Sequence, residues 1–201
     1  MKHIKRYLLT FIGFSICGMS ISLYLLSGFG SDPVTLFADG LSHSLGLRIG
    51  LVGICYHFTV ILISFFLDRS FLGVATLISF LTVGPSIGLY MMLFSSFVTP
   101  ASPVVIRLVF YFIAFFGLSF GVSLYMSMKT GISASDLAPV IVSEKSGIQF
   151  RWCKVGFDIV VVIIGILLGG VFGWGTIFAA LFTGPVIHAI RRRLERTLQP
   201  A

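Results

Sequence analysis

Charge is what this 201-residue chain has least of. Asp, Glu, Lys and Arg make up 10% of it, where a soluble domain carries about a quarter. That excludes a cytosolic globular domain and a charge-rich disordered chain. Cysteine is scarce too. Cys17, Cys55 and Cys153 are an odd number with no C-x-x-C pair, which argues against a disulfide scaffold or a zinc site. No Walker A loop, H-E-x-x-H helix or haem attachment motif occurs. No cofactor is therefore expected. What fills the sequence is apolar: 57% of residues are hydrophobic and the mean hydropathy is +1.05. Successive apolar runs of span length imply a polytopic, all-α membrane protein.

The periodicity predicts six membrane helices, over about 7–29, 49–67, 71–96, 104–127, 152–168 and 173–190. The first follows a basic start, Lys2-His-Ile-Lys5-Arg6, but no A-x-A cleavage signature follows, so it reads as a retained span. The net charge of +7 could suggest nucleic acid. The basic residues stand at the ends of apolar runs, however, which is the pattern of the positive-inside rule. With the N-terminus in the cytoplasm, all 14 Lys and Arg except Arg48 and Arg107 fall on the cytoplasmic side. Both termini are then cytoplasmic, as six spans require. The Arg191-Arg192-Arg193-Leu-Glu-Arg196 tail reads as a topology anchor against anionic lipid. The expected partner is the lipid bilayer, and nucleic acid is not expected.

The two halves of the chain resemble each other. Ser22-Leu23-Tyr24 recurs as Ser123-Leu124-Tyr125, and at the same spacing Gly30 meets Gly131, Leu36 meets Leu137, Ser42 meets Ser143, and Gly46 meets Gly147. After a one-residue change, Gly73-x-x-Thr76 recurs as Gly173-x-x-Thr176, and Gly84-Pro85 as Gly184-Pro185. Residues 1–100 and 101–201 are thus read as two three-span repeats forming one membrane domain. Three spans is an odd number, so the second repeat enters from the opposite side and the repeats are inverted.

The connectors at 30–48 and 129–150 are only half apolar. Asp32-Pro33 reads as an N-cap followed by proline at the first helical position, and Gly46 as a helix stop. Ser133-Ala-Ser-Asp136 reads as a capping box, with Gly147 as its stop. Each connector is expected to hold a short amphipathic helix, on the interface or re-entering the membrane. Asp32, Ser133 and Asp136 are candidates for capping or for a loop site.

Several residues could carry chemistry inside the membrane. Pro85 and Pro185 free the carbonyls of Leu81 and Leu181, and the glycines before them, Gly84 and Gly184, let another helix approach. Paired breaks of this kind point to a site at a repeat interface, or to plain kinks. Thr76 and Thr176 near the starts of those spans could bond substrate or backbone. His57 and Asp158 occupy equivalent places in spans two and five. An ionisable group at that depth must face protein or water. The rival for Asp158 is a fixed ion pair with Lys154 or Arg151. Arg107 is expected to snorkel to the interface. Gly117-Leu-Ser119-Phe-Gly121 matches G-x-S-x-G by letter, but it lies mid-span and reads as small residues for helix packing, like Gly165-x-x-x-Gly169.

These motifs resemble the YczE/YyaS/YitT group of bacterial integral membrane proteins. The group shows a G-x-G/S-x-x-D loop after a span, then an Arg, a polar span residue, a GG-x-x-G-x-GT turn and a GP-containing last span. This chain has Gly131-Ile-Ser133-Ala-Ser-Asp136, Arg151, Asp158, Gly169-Gly170-Val-Phe-Gly173-Trp-Gly175-Thr176 and Gly184-Pro185. The first half departs from the pattern at Ala75 and His57. The likeness is closest to the YczE-like members, which lack a large C-terminal soluble domain. It implies a multi-pass protein of the bacterial cytoplasmic membrane and no particular reaction. Two functions fit. One is a small carrier or permease with a site at the repeat interface, acting on a small-molecule substrate. The other is a non-transporting protein that assembles with or regulates a membrane partner. An enzyme is not expected, for want of a nucleophile or metal set, and a homo-oligomer is compatible with either reading.

Overall fold

The computed structural model describes residues 2–67, 69, 72–99 and 101–198, leaving out the side chains of Lys2, His3, Phe150, Arg151 and Leu198. The described residues are helical, with no strand. In chain order the helices are α1 (Lys2–Ser27), α2 (Pro33–Leu45), α3 (Ile49–Leu67), α4 (Val74–Phe94), α5 (Val104–Ser127), α6 (Leu137–Ser146), α7 (Phe150–Leu167) and α8 (Trp174–Leu198). A 3-10 turn, Ala134–Asp136, precedes α6. Each expected span and each connector helix has its counterpart.

Among the described residues four helices are long and apolar enough to cross a membrane: residues 4–27 of α1, and α3, α4 and α5. The helices matching the last two expected spans are not among them. α7 carries Arg151, Lys154 and Asp158, and α8 runs on into the basic tail. Large apolar side chains such as Phe66, Leu81, Val105 and Phe116 point outward, as they do in a protein solvated by lipid.

Packing is organised around α1, which lies between α4 and α5, and α8 packs on the far side of α5. The α1–α5 crossing is close because glycine meets glycine: a Cβ at Gly121 would stand 2.7 Å from the Gly13 carbonyl. Gly117 packs on Ser20 in the same seam. Ser119 turns its hydroxyl back to the Phe115 carbonyl, a local bond inside a straight helix. The G-x-S-x-G letters therefore form a packing surface and no nucleophile elbow.

α3 packs on α4, while α7 makes no comparable contact with α8 among the described residues. Instead α2 and α6 each touch both α3 and α7 and so lie between them. α2 sits against α7 through glycine again, since a Cβ at Gly40 would meet the Gly165 carbonyl and the Gly170 amide.

Equivalent hydrogen bonds occur in the two halves. Ser22 donates to the Ile87 carbonyl at 3.0 Å, and Ser123 to Ile187 at 3.1 Å. Ala75 N–H donates to Thr130 at 3.2 Å, and Gly175 N–H to Phe29 at 2.9 Å. The latter two cross between halves: the start of α4 docks on the loop before α6, and the start of α8 on the loop before α2. Gly46 and Gly147 end α2 and α6 with φ of 64° and 69°. Arg107 does not reach outward. Its Nε donates to the Ser27 carbonyl at 2.7 Å, and its guanidinium lies over the Phe29 ring, because the last carbonyls of α1 need donors. Cys17, Cys55 and Cys153 are all free thiols.

The loop dockings leave no room for side chains. A methyl at Gly173 would collide with the Phe29 carbonyl, whereas one at Gly156 meets nothing within 4 Å. Gly173→Ala should cost about 1–3 kcal/mol and lower the melting temperature in detergent. Gly156→Ala, on an open helix face, should leave it unchanged or raise it. Equal melting points for the two variants would contradict this packing.

Candidate polar centre

The site is built on the loop between α5 and α6. α5 ends at Ser127, and the chain turns through Lys129 (φ 53°) and Gly131 (φ 123°). Ser133 then caps the 3-10 turn by accepting the Ser135 N–H. Several helices hold this loop. Thr76 of α4 donates to the Ile132 carbonyl at 2.7 Å, and its hydroxyl accepts the Gly73 N–H at 3.1 Å. Ser79 accepts the Ala134 N–H at 3.1 Å. From α3, His57 places Nε2 at 2.9 Å from the Ser135 hydroxyl. His57 is buried, and its Nδ1 has no partner.

Charge gathers on the other side of the same turn. Lys154 Nζ of α7 lies 2.7 Å from Asp158 Oδ1, one helical turn on, and 3.9 Å from Asp136 Oδ1. Tyr125 of α5 donates to Asp136 Oδ2 at 2.8 Å. Two carboxylates, those of Asp136 and Asp158, thus flank one ammonium beside the 3-10 turn. The side chains of Lys154, Asp158 and Asp136 are 29%, 26% and 19% exposed, so each is held mainly by protein.

The site residues expected from sequence are therefore divided. His57, Asp158, Ser133, Asp136 and Thr76 meet around one turn. Asp32 caps α2, accepting the Thr35 N–H and, at 2.6 Å, the Thr35 hydroxyl. Asp136 does not cap: it stands at the N-cap position of α6 but its side chain makes no cap hydrogen bond, because its carboxylate is taken by Tyr125 and Lys154. The Gly-Pro pairs stand apart. Pro85 and Pro185 face outward, Gly84 packs on Ile54 and Gly50 of α3, and Gly184 meets nothing within 4 Å. Thr176 is buried against Gly30, and its hydroxyl has no partner.

The sequence reading missed Tyr125 and Ser135. Tyr125 carried a signal, since it belongs to the repeated Ser-Leu-Tyr. Asp39 was missed as well; it accepts the Val171 N–H at 2.9 Å and ties α2 to the loop before α8. Chemically, the ammonium of Lys154 fills the place between the two carboxylates. No three His, Cys, Asp or Glu side chains among the described residues are grouped so as to hold a metal ion, because Lys154 stands between the acids.

Removing one charge leaves the others uncompensated. Lys154→Met should destabilise the protein by about 3 kcal/mol, the lower end of the range for broken buried pairs, given the partial exposure. Lys154→Met combined with Asp158→Asn should recover part of that loss. Tyr125→Phe should cost about 1–3 kcal/mol, as expected for a bond to a charged acceptor. Thermal melts of the purified variants test all three, and additive losses in the double variant would refute the pairing.

Comparison with known proteins places the sequence in a family. Residues 4–192 match the model of a family of unknown function, DUF6198. An uncharacterized protein of Haemophilus influenzae is 27% identical over 87% of this chain and 78% of its own length. The uncharacterized membrane protein YczE of Bacillus subtilis is 23% identical over 92% and 85%, and the uncharacterized protein YyaS of the same organism 22% over 95% and 94%. The resemblance read from the motifs is thus borne out. No solved structure matches the chain.

Proposed function

The chain belongs to the DUF6198 family, and from that premise we propose that it is a small membrane carrier whose substrate site lies where its two halves meet. The observation that carries the reading is Lys154 held between Asp136 and Asp158 inside an assembly that is apolar on its outside. Ionisable groups in such a setting are costly and mark solute or proton pathways.

Six spans and inverted repeats belong to the same proposal. α7 has 18 residues, about 27 Å at the helical rise, close to the thickness of the hydrocarbon core. Lys154 and Asp158 are satisfied within the protein, so they do not bar α7 from lipid. The matched hydrogen bonds of Ser22 and Ser123, and of Ala75 and Gly175, support two equivalent halves. The crossing of the Ala75 and Gly175 bonds between halves suits a machine in which one repeat moves against the other. By the distribution of Lys and Arg, both termini are cytoplasmic.

Two-sided accessibility tests the carrier reading. With Cys17, Cys55 and Cys153 changed to Ser, a single cysteine is placed by Asp158→Cys or, separately, Thr176→Cys. Membrane-impermeant thiol reagents are applied to each face of oriented vesicles. Labelling from both faces at either position is expected of a carrier. Protection from both faces at both positions would overturn it and favour the non-transporting reading, to be pursued by recovering a stoichiometric membrane partner.

A further inference from the structure

A second concavity lies away from the charged centre. It has a volume of about 620 Å³, within the range of small-molecule sites, between the C-terminal ends of α1 and α4 and the start of α3. Leu25, Ile49, Met91 and Met92 give it an apolar wall, and the thioethers adapt readily to different shapes. On α4 the wall is interrupted by Gly88, where an added Cβ would meet nothing within 4 Å.

Two polar groups of this cleft have nothing to bind. Tyr24 lines it and is wholly buried, yet its hydroxyl has no hydrogen-bond partner. Buried hydroxyls are normally paired, and leaving one unpaired costs free energy. The comparison with Tyr125 is instructive. That residue holds the equivalent place in the second half and donates to Asp136. The first half has Thr35 at the position matching Asp136, so the Tyr24 hydroxyl is left without its acid. Arg48 also lines the cleft, and its side chain makes no ion pair or hydrogen bond among the described residues. The one carboxylate nearby, Asp39, is committed: Oδ2 accepts the Val171 N–H, and Oδ1 lies 3.6 Å from His43 Nε2.

We infer that this cleft binds an amphipathic monoanion: one singly charged oxyanion group on an apolar chain or ring. The apolar wall takes the body of the ligand. Arg48 takes the charge, and Tyr24 donates the hydrogen bond it cannot make within the protein. Single charge follows from a single uncommitted cation, with Asp39 close enough to disfavour a dianion. The site does not depend on the transport reading, because occupancy needs no turnover.

The test uses the full chain in phosphatidylcholine nanodiscs, with 11-dansylaminoundecanoate as probe and empty nanodiscs as background. A saturable fluorescence change is expected, displaced by dodecanoate and not by dodecyltrimethylammonium. Arg48→Gln, at an exposed position, should weaken binding about tenfold with the melting temperature unchanged. Tyr24→Phe should weaken it several-fold, and Gly88→Trp, which fills the cleft from an open helix face, should abolish it. Should Gly88→Trp fail to fold, Arg48→Gln decides alone. Adding phosphatidylglycerol to the nanodiscs separates two sources of the same chemistry. Displacement by it identifies a lipid headgroup as the ligand, and its failure to compete identifies a water-borne carboxylate. No saturable signal, equal displacement by the cationic amphiphile, or unchanged affinity in Arg48→Gln would overturn the inference.

Discussion

Backbone that leaves the helix among apolar neighbours has no water to turn to, so its N–H and C=O groups must be satisfied by the protein itself. Two loops pose that problem here, one between α1 and α2 and one between α5 and α6. Each is answered from the opposite half of the chain: Phe29 receives the Gly175 amide, and Thr130 the Ala75 amide. The glycine at 173 follows from this docking, because the opposing backbone comes too close for a side chain, and at Gly73 the opposing backbone leaves a tight 3.2 Å. So do Thr76 and Ser79, which supply the side-chain bonds that the α5–α6 loop still lacks.

The two halves share this solution and then diverge in what they do with it. The second loop collects Asp136, Tyr125, Lys154, Asp158 and His57 around itself. The first has no acid for Tyr24, and the space beside that residue is open. The outer flanks diverge as well: Gly84 receives α3, while Gly184 receives nothing. The two tyrosines of the repeated Ser-Leu-Tyr thus lie in different settings, Tyr125 at the charged centre and Tyr24 beside the cleft.

Much of this was legible in the residues. Helix positions followed from apolar runs, and the connector helices from Asp32-Pro33 and from Gly46 and Gly147, because capping is local and its signals lie within one turn. The convergence of His57 and Asp158 on one loop was not legible, since it depends on α2 and α6 settling between α3 and α7. Asp136 shows the limit well. Its S-x-x-D spacing reads as a cap, yet a tyrosine eleven positions earlier and a lysine on another helix claim the carboxylate. The prolines misled in the other direction. They do break the helical hydrogen-bond ladder, but the face they occupy is turned away from the polar residues.

The charges on α7 also bear on biogenesis. Arg151, Lys154 and Asp158 give α7 more charged residues than any of the four long apolar helical spans carries. The elements it packs on, α2 and α6, both precede it in the chain. During synthesis, therefore, the surfaces that accept α7 leave the ribosome before α7 does. Its packing is then a docking reaction onto helices already made, and the order of the helices along the chain is part of how the molecule is assembled.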